Sequence, residues 1–206
     1  MRGALPPTSA KPVPGSSGTR RLLTTALLSI ALGTSPVLAS AWEWTVQSAA
    51  SAIEFRYTTD GSPRTGLFAK FEGSGSFDPE DPSSADLLLK IDTSSIDLFD
   101  DLASGFAQSA EWFDSKNHPY VIYRLVSLTP IEGDRYRARG LLTIRGERRP
   151  VTSEIELIIG DELAAATGAL EIVRGDYLLG VGPSAIFVDI GPRVVVSFDL
   201  QAARVR

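Results

Sequence analysis

The chain has 206 residues, 43% of them hydrophobic and 22% charged, a balance ordinary for a globular protein. It has no cysteine, one histidine and one methionine, which excludes a disulfide framework and makes a zinc site or a haem axial pair hard to assemble. A formal charge of −5 repels phosphate backbones, so nucleic acid is not an expected partner.

The first 41 residues differ from the rest. They carry Arg2, Lys11, Arg20 and Arg21 and no acid, then an apolar run from Leu22 to Leu32, then the small residues of Val37-Leu38-Ala39-Ser40-Ala41. A basic n-region, a short apolar h-region and an A-x-A site make a secretory signal peptide, cleaved after Ala39 or Ala41. The apolar run falls short of the about 20 residues that a membrane-spanning helix requires. Thr19-Arg20-Arg21-Leu22-Leu23 has a twin-arginine look, but general secretion is the preferred route. Export would place the mature chain, 42–206, in the periplasm. Four basic residues and no acid leave with residues 1–41, so the formal charge moves from −5 to −9. About 165 residues remain, enough to bury an apolar core.

Alternation of apolar and polar residues, the mark of half-buried strands, then runs through the chain. Ile53, Phe55 and Tyr57 alternate with Glu54, Arg56 and Thr58, and Asp60-Gly61-Ser62-Pro63 supplies a turn. Thr65 to Phe77 reads as one long strand with Leu67, Ala69, Phe71 and Phe77 on its apolar face. Gly73 and Gly75 on that face fit a sharp bend or a bulge. Asp78-Pro79-Glu80-Asp81-Pro82 ends it, and Leu87, Leu89 and Ile91 mark the next strand. Ser95 to Asp114 breaks the pattern. Ile96, Leu98, Phe99, Leu102, Phe106 and Ala110 predict a short helix or helical turns ending near Trp112-Phe113.

Strands resume with Tyr136, Ala138, Gly140, Leu142 and Ile144, then Val151 to Ile159, and finally Val194, Val196, Phe198 and Leu200. Glu132-Gly133-Asp134, Arg145-Gly146-Glu147, Gly160-Asp161 and Gly191-Pro192 are turn signals between them. Short connections imply antiparallel neighbours. A sandwich and a closed barrel both satisfy this pattern; the barrel has no exposed edge. Ile53, Phe55, Leu89, Leu142, Ile144, Ile155, Leu157, Val196 and Phe198 are expected to face inward.

No G-x-S-x-G, H-E-x-x-H, C-x-x-C or P-loop is present. His118, followed by Pro119, lacks a catalytic partner in sequence and reads as structural. No catalytic residue and no metal ligand is assigned. Asp100-Asp101 fits a helix start, where acids complement the helix dipole.

Leu141-Leu142-Thr143-Ile144-Arg145-Gly146 through Pro150-Val151 resembles the signature hairpin of the YceI-like family, L-T-[IL]-x-G, a spacer, then P-V. Ser95-Ile96-Asp97 resembles the family's S-I-D, and Trp112-Phe113-Asp114 with His118-Pro119 its [FW]-F-D…P segment. Gly66-Leu67-Phe68 and Phe71 resemble its G-x-F-x-x-F, and the likeness runs from Trp44 to Ala203. Two positions depart. Ala50-Ser51 stands where the family often has His-Ser, and residues 101–106 lack its R-D-x-H-L stretch, so polar contacts made by those residues are not carried over. Asp78 to Pro82, Trp112 to Asp114, and Arg174-Gly175-Asp176-Tyr177 through Gly182 are similar to a subgroup associated with membrane b-type cytochromes.

The resemblance implies an eight-stranded, antiparallel, lipocalin-like β-barrel with a short helical segment near 95–114. It implies a non-enzymatic periplasmic carrier of a polyisoprenoid lipid or quinone tail, with no covalently bound cofactor. An accessory subunit of a membrane cytochrome is a second reading, and a barrel enzyme acting on a small lipid a third. A homodimer is compatible with all three. Apolar inward residues alone do not separate a tunnel from a filled core. For a tunnel, the wall residues are Phe55, Tyr57, Phe71, Leu89, Tyr136, Leu142, Ile144, Leu157 and Phe198, with Phe106, Trp112 and Phe113 at the mouth. Tyr177 and Arg174 are assigned to a polar head, and polar groups are expected at one end only. N-terminal sequencing of exported protein should begin at Ser40 or Trp42; a chain still beginning near Met1 would contradict cleavage.

Overall fold

Eleven strand segments follow the chain: β1 (Trp42–Val46), β2 (Ala52–Thr59), β3 (Ser62–Phe68), β4 (Phe71–Phe77), β5 (Asp86–Asp92), β6 (Ile96–Asp97), β7 (Tyr120–Glu132), β8 (Arg135–Ile144), β9 (Glu147–Ile159), β10 (Leu163–Val173) and β11 (Arg193–Arg204). Among the described residues one α-helix, α1, spans Asp101–Ala107. The computed structural model describes residues 41–78, 80–183 and 189–205. The signal-peptide expectation, apart from Ala41, lies outside the described residues.

The eleven segments form eight staves. β1 and β2 make one bent stave, β3 and β4 a second, β5 and β6 a third; β7 to β11 are unbroken. Each stave pairs antiparallel with the next, and β11 closes the ring by pairing with both β1 and β2. The architecture is therefore a closed eight-stranded antiparallel barrel with one helix. Tight hairpins enforce the meander. Asp60-Gly61 and Arg145-Gly146 each hold two successive positive φ values, at 49° and 72° and at 50° and 82°. That is the type I′ geometry matching the right-handed twist of paired strands.

Each break in a bent stave has its own hydrogen bonds. At Ala69-Lys70 the two amides donate to the Ser95 carbonyl and Ser95 Oγ, both at 3.0 Å. Between β1 and β2, the Gln201 amide donates to Ser51 Oγ at 2.9 Å. Between β5 and β6, Thr93 is fully buried, and its Oγ1 donates to the His118 carbonyl at 2.9 Å. His118 thus serves the fold through its backbone.

These breaks explain where the structure departs from the expected frame. Thr65–Phe77 is two strands, not one. Gly66 and Phe68 face the core before the break, and Phe71 and Phe77 after it, while Leu67 is half-buried and Ala69 exposed. A slip of one residue at the break reverses the faces. The helical segment is also shorter than 95–114: Ile96-Asp97 pairs with β3, the helix holds only seven residues, and Trp112-Phe113 sit in the turns after it. Asp100 caps α1, its Oδ1 accepting from the Ala103 amide at 2.8 Å.

Glycines give a direct test. A Cβ at Gly75 would lie 2.3 Å from the Asp86 carbonyl oxygen, whereas at Gly105, on α1, it would meet nothing within 4 Å. Gly75→Ala should destabilise the barrel by about 1–3 kcal/mol. Gly105→Ala should stabilise the protein by about 0.4–1 kcal/mol. Urea unfolding of the two variants checks both signs.

Candidate ligand-binding cavity

The barrel interior is hollow. A cavity of about 420 Å³ extends from Tyr57, Phe68 and Ile172 near one end to Trp44, Phe77 and Ile159 near the other. That volume is within the range of about 300–1,000 Å³ typical of small-molecule sites. All nine residues expected to face inward line it, among them Ile53, Ile155 and Val196. Its wall is almost entirely apolar, because alternating residues on every stave turn inward.

One end of the barrel is capped. The chain between β6 and β7 and residues 174–183 after β10 both lie at this end, since antiparallel staves alternate direction. Ala103, Phe106 and Ala107 of α1 line the cavity here, with Trp112, Phe113, Arg174 and Leu179. Phe113 meets Phe68 edge-on, with ring centroids 5.7 Å apart, and Phe106 lies 6.0 Å from Trp112. Arg174 stacks over Trp112 at 5.5 Å.

Arginines fasten the cap by donating to backbone carbonyls. Arg174 Nη1 donates to Leu179 O at 2.7 Å and to Gly180 O at 3.0 Å. Its Nη2 donates to Ile190 O at 2.9 Å, and its Nε to Ile190 O and Gly191 O at 3.2 Å. Arg145, at the tip of the β8–β9 hairpin, donates to the Leu178 carbonyl and, at 2.6 Å, to Ala110 O. Arg149 Nε donates to Asp176 O at 3.2 Å. The hairpin singled out in the sequence is thus both cavity wall, through Leu142 and Ile144, and clamp, through Arg145 and Arg149.

Of the residues assigned from sequence, Phe55, Tyr57, Leu89, Phe106, Trp112, Phe113, Leu142, Ile144, Leu157 and Phe198 line the cavity. Phe71, Tyr136 and Tyr177 do not. Phe71 is buried in the core packing. Tyr136 opens instead onto a smaller pocket of about 240 Å³ with Trp42, Asp134 and Asp161. Tyr177 is only 2% exposed and packs within the core cluster without itself lining the cavity. Burial pushes its phenol upward, and the neighbouring Asp176 adds to this while Arg149 opposes it. Arg174 does reach the cavity, but its donors are turned to the cap.

Polar groups occur toward both ends, contrary to the expectation of one. Thr59 and Arg174 lie at the capped end, Ser76 and Asp86 at the opposite end, and Ser153 between them. The wall includes strand ends at both ends of the barrel, where inward positions approach the connecting turns. Two indole groups, Trp44 Nε1 and Trp112 Nε1, are buried with no hydrogen-bond partner among the described residues, and both tryptophans line the cavity.

Sequence reasoning missed one ring of importance. Tyr123 on β7 lines the cavity, and burial pushes its phenol up to about 12. Val121, Tyr123 and Leu125 alternate correctly, but the register shifts between Leu125 and Ser127, leaving Val126 59% exposed and returning Leu128 to the core. The bulge hides a strand whose first half alone carried the signal. The Ala164, Ala166 and Leu170 wall of β10 was missed because alanine on both faces blurs alternation.

The sequence matches the YceI-like domain over residues 44–202. The chain belongs to the YceI-like family. Protein YceI of Salmonella arizonae is 28% identical over 140 residues, covering 68% of this chain and 73% of the relative. A UPF0312 protein of Pectobacterium atrosepticum is 28% identical over 140 residues, covering 68% and 72%. Among solved structures, BcnA of Burkholderia cenocepacia has a TM-score of 0.69 at 26% identity, covering 76% of this chain and 98% of its own. A polyisoprenoid binding domain from Saccharophagus degradans, implicated in plant cell wall breakdown, has a TM-score of 0.64 at 16% identity, covering 79% and 98%. The shared architecture is the YceI-like barrel.

The clamp makes this family member's cap testable. Arg174→Lys keeps the charge but offers a point donor where a planar fork now reaches four carbonyls. Stranding those acceptors should cost about 1–3 kcal/mol. Hydrogen exchange should then speed up at the amides of Leu179 and Gly180 before it does in β7 to β11.

Proposed function

We propose that this YceI-like protein is a non-enzymatic, periplasmic binder or carrier of a polyisoprenoid lipid with an uncharged head, such as an isoprenoid quinone. The observation that carries the reading is the apolar cavity of about 420 Å³ running along the barrel. A tail buried there gains roughly 0.8 kcal/mol per CH₂ removed from water, with no polar contact needed. The likeness in fold to the polyisoprenoid binding domain of Saccharophagus degradans supports a tail of that class.

The wall chemistry favours an uncharged head. Arg174 is the cation in the lining, and its N–H groups already serve the carbonyls of Leu179, Gly180, Ile190 and Gly191. A diphosphate would need a freer cation.

Organic extraction of the natively purified protein, followed by mass spectrometry, tests the reading; the expected product is an isoprenoid without phosphate. A protein that carries no lipid and takes none up would overturn it, and a phosphorylated isoprenoid would overturn the choice of head. Leu142→Trp should lower lipid occupancy by narrowing the cavity, with a stability cost of about 1–3 kcal/mol from overpacking. A folded variant with full occupancy would remove Leu142 from the binding wall.

A further inference from the structure

We propose that Gly140 and Tyr123 set the bore of the cavity, and through it a preference for methyl-branched over unbranched chains. The proposal rests on the carrier reading and assigns its specificity.

Among the aromatic rings that line the cavity are Phe55, Tyr123 and Phe198. Each lies against a glycine on a neighbouring stave. A Cβ at Gly66 would sit 2.5 Å from Phe55 Cζ, one at Gly140 2.3 Å from Tyr123 Cε2, and one at Gly168 2.7 Å from Phe198 Cζ. None of these contacts is tolerable for a real side chain. The glycines are niches, and each lets a ring lie along the wall where it would otherwise project into the lumen. β7 and β11 stand opposite one another, four staves apart in either direction around the ring. Tyr123 and Phe198 therefore bound the lumen from facing walls.

Gly140 is the niche whose filling acts on the bore most directly. Its three nearest atoms are all on Tyr123: Cε2, Cζ and the hydroxyl oxygen, at 2.3, 2.5 and 2.6 Å. A methyl at Gly66 would also meet Leu98 at 2.7 Å, and one at Gly168 would meet Ile155 at 3.0 Å and the Glu154 carbonyl at 3.2 Å. At Gly140 the three closest contacts all fall on the one ring. The β8 backbone blocks it on the wall side, so it moves toward the lumen. The phenol stays neutral there, with burial holding it near 12, so the movement changes width and not charge. A methyl-branched, unsaturated chain is wider and stiffer than a polymethylene chain, and narrowing discriminates against it first.

The test uses lipid-stripped mature protein and two alcohols with the same number of main-chain carbons, geranylgeraniol and hexadecanol. Each displaces a fluorescent apolar probe, and the melting temperature is recorded for every variant. In Gly140→Ala, affinity for geranylgeraniol should fall by about tenfold or more, and affinity for hexadecanol by less than about threefold. Adding Tyr123→Leu to that variant should restore geranylgeraniol binding. A folded Gly140→Ala with both affinities unchanged, or lowered equally, overturns the proposal. If Gly140→Ala does not fold, Tyr123→Leu alone decides: the widened bore should raise the ratio of geranylgeraniol to hexadecanol affinity, and an unchanged ratio overturns the proposal. Wild-type protein that binds neither alcohol would instead overturn the carrier reading itself.

Discussion

The barrel depends on β11. Its twelve residues pair with β10 along one edge, and on the other edge divide between β2 and β1. That single strand joins the last stave to the first, and the sheet has no free edge once it is in place. Closure also fixes an inside. Val194, Val196, Phe198 and Leu200 turn inward because their neighbours face solvent, and the other staves follow the same alternation. With no cysteine in the chain, this ladder and the apolar interior hold the domain together.

The ring closes through unequal halves. β7 to β11 are long and unbroken, whereas the first three staves each fold over a break held by Ser51, Ser95 or Thr93. Breaks let a strand turn sharply without leaving backbone groups unpaired. They also reset which residues face inward, so the barrel tolerates a sequence whose apolar period is interrupted. The cost falls on hydroxyl side chains, which must accept or donate where the ladder cannot.

A hollow interior needs more than closure, because a small barrel readily fills itself with side chains. Here the largest rings are laid along the wall by glycines on adjoining staves, and β10 contributes Ala164 and Ala166 where bulk would fill the lumen. At the capped end, guanidinium groups hold the covering segments through carbonyls. Such bonds are charge-assisted and strong, and they need no carboxylate partner at that end of the cavity. The covering segments are fastened without making that end of the lumen anionic. The arrangement suits a guest that is long, apolar and uncharged.

Alternation alone made the β class legible, and it placed Ile53, Phe55, Leu142, Ile144 and Phe198 on one inward face, because side-chain direction in a strand is local. The hairpin turns were legible for the same reason: Gly61 and Gly146, with Asp60, carry the positive φ values their residue types invite. The order of motifs from Gly66 to Val151 pointed to the family. Tertiary structure decided what depends on distant partners. Phe71 and Tyr136 follow the right period, but a break in one stave and a barrel end in another keep them off the cavity wall. Tyr123 went unread because the bulge at Val126 interrupts its strand, and Tyr177 was misplaced because only the folded cap buries it. Whether the interior was filled or hollow was settled by pairs such as Gly140 with Tyr123, residues 17 positions apart in sequence and in contact only once β7 and β8 align.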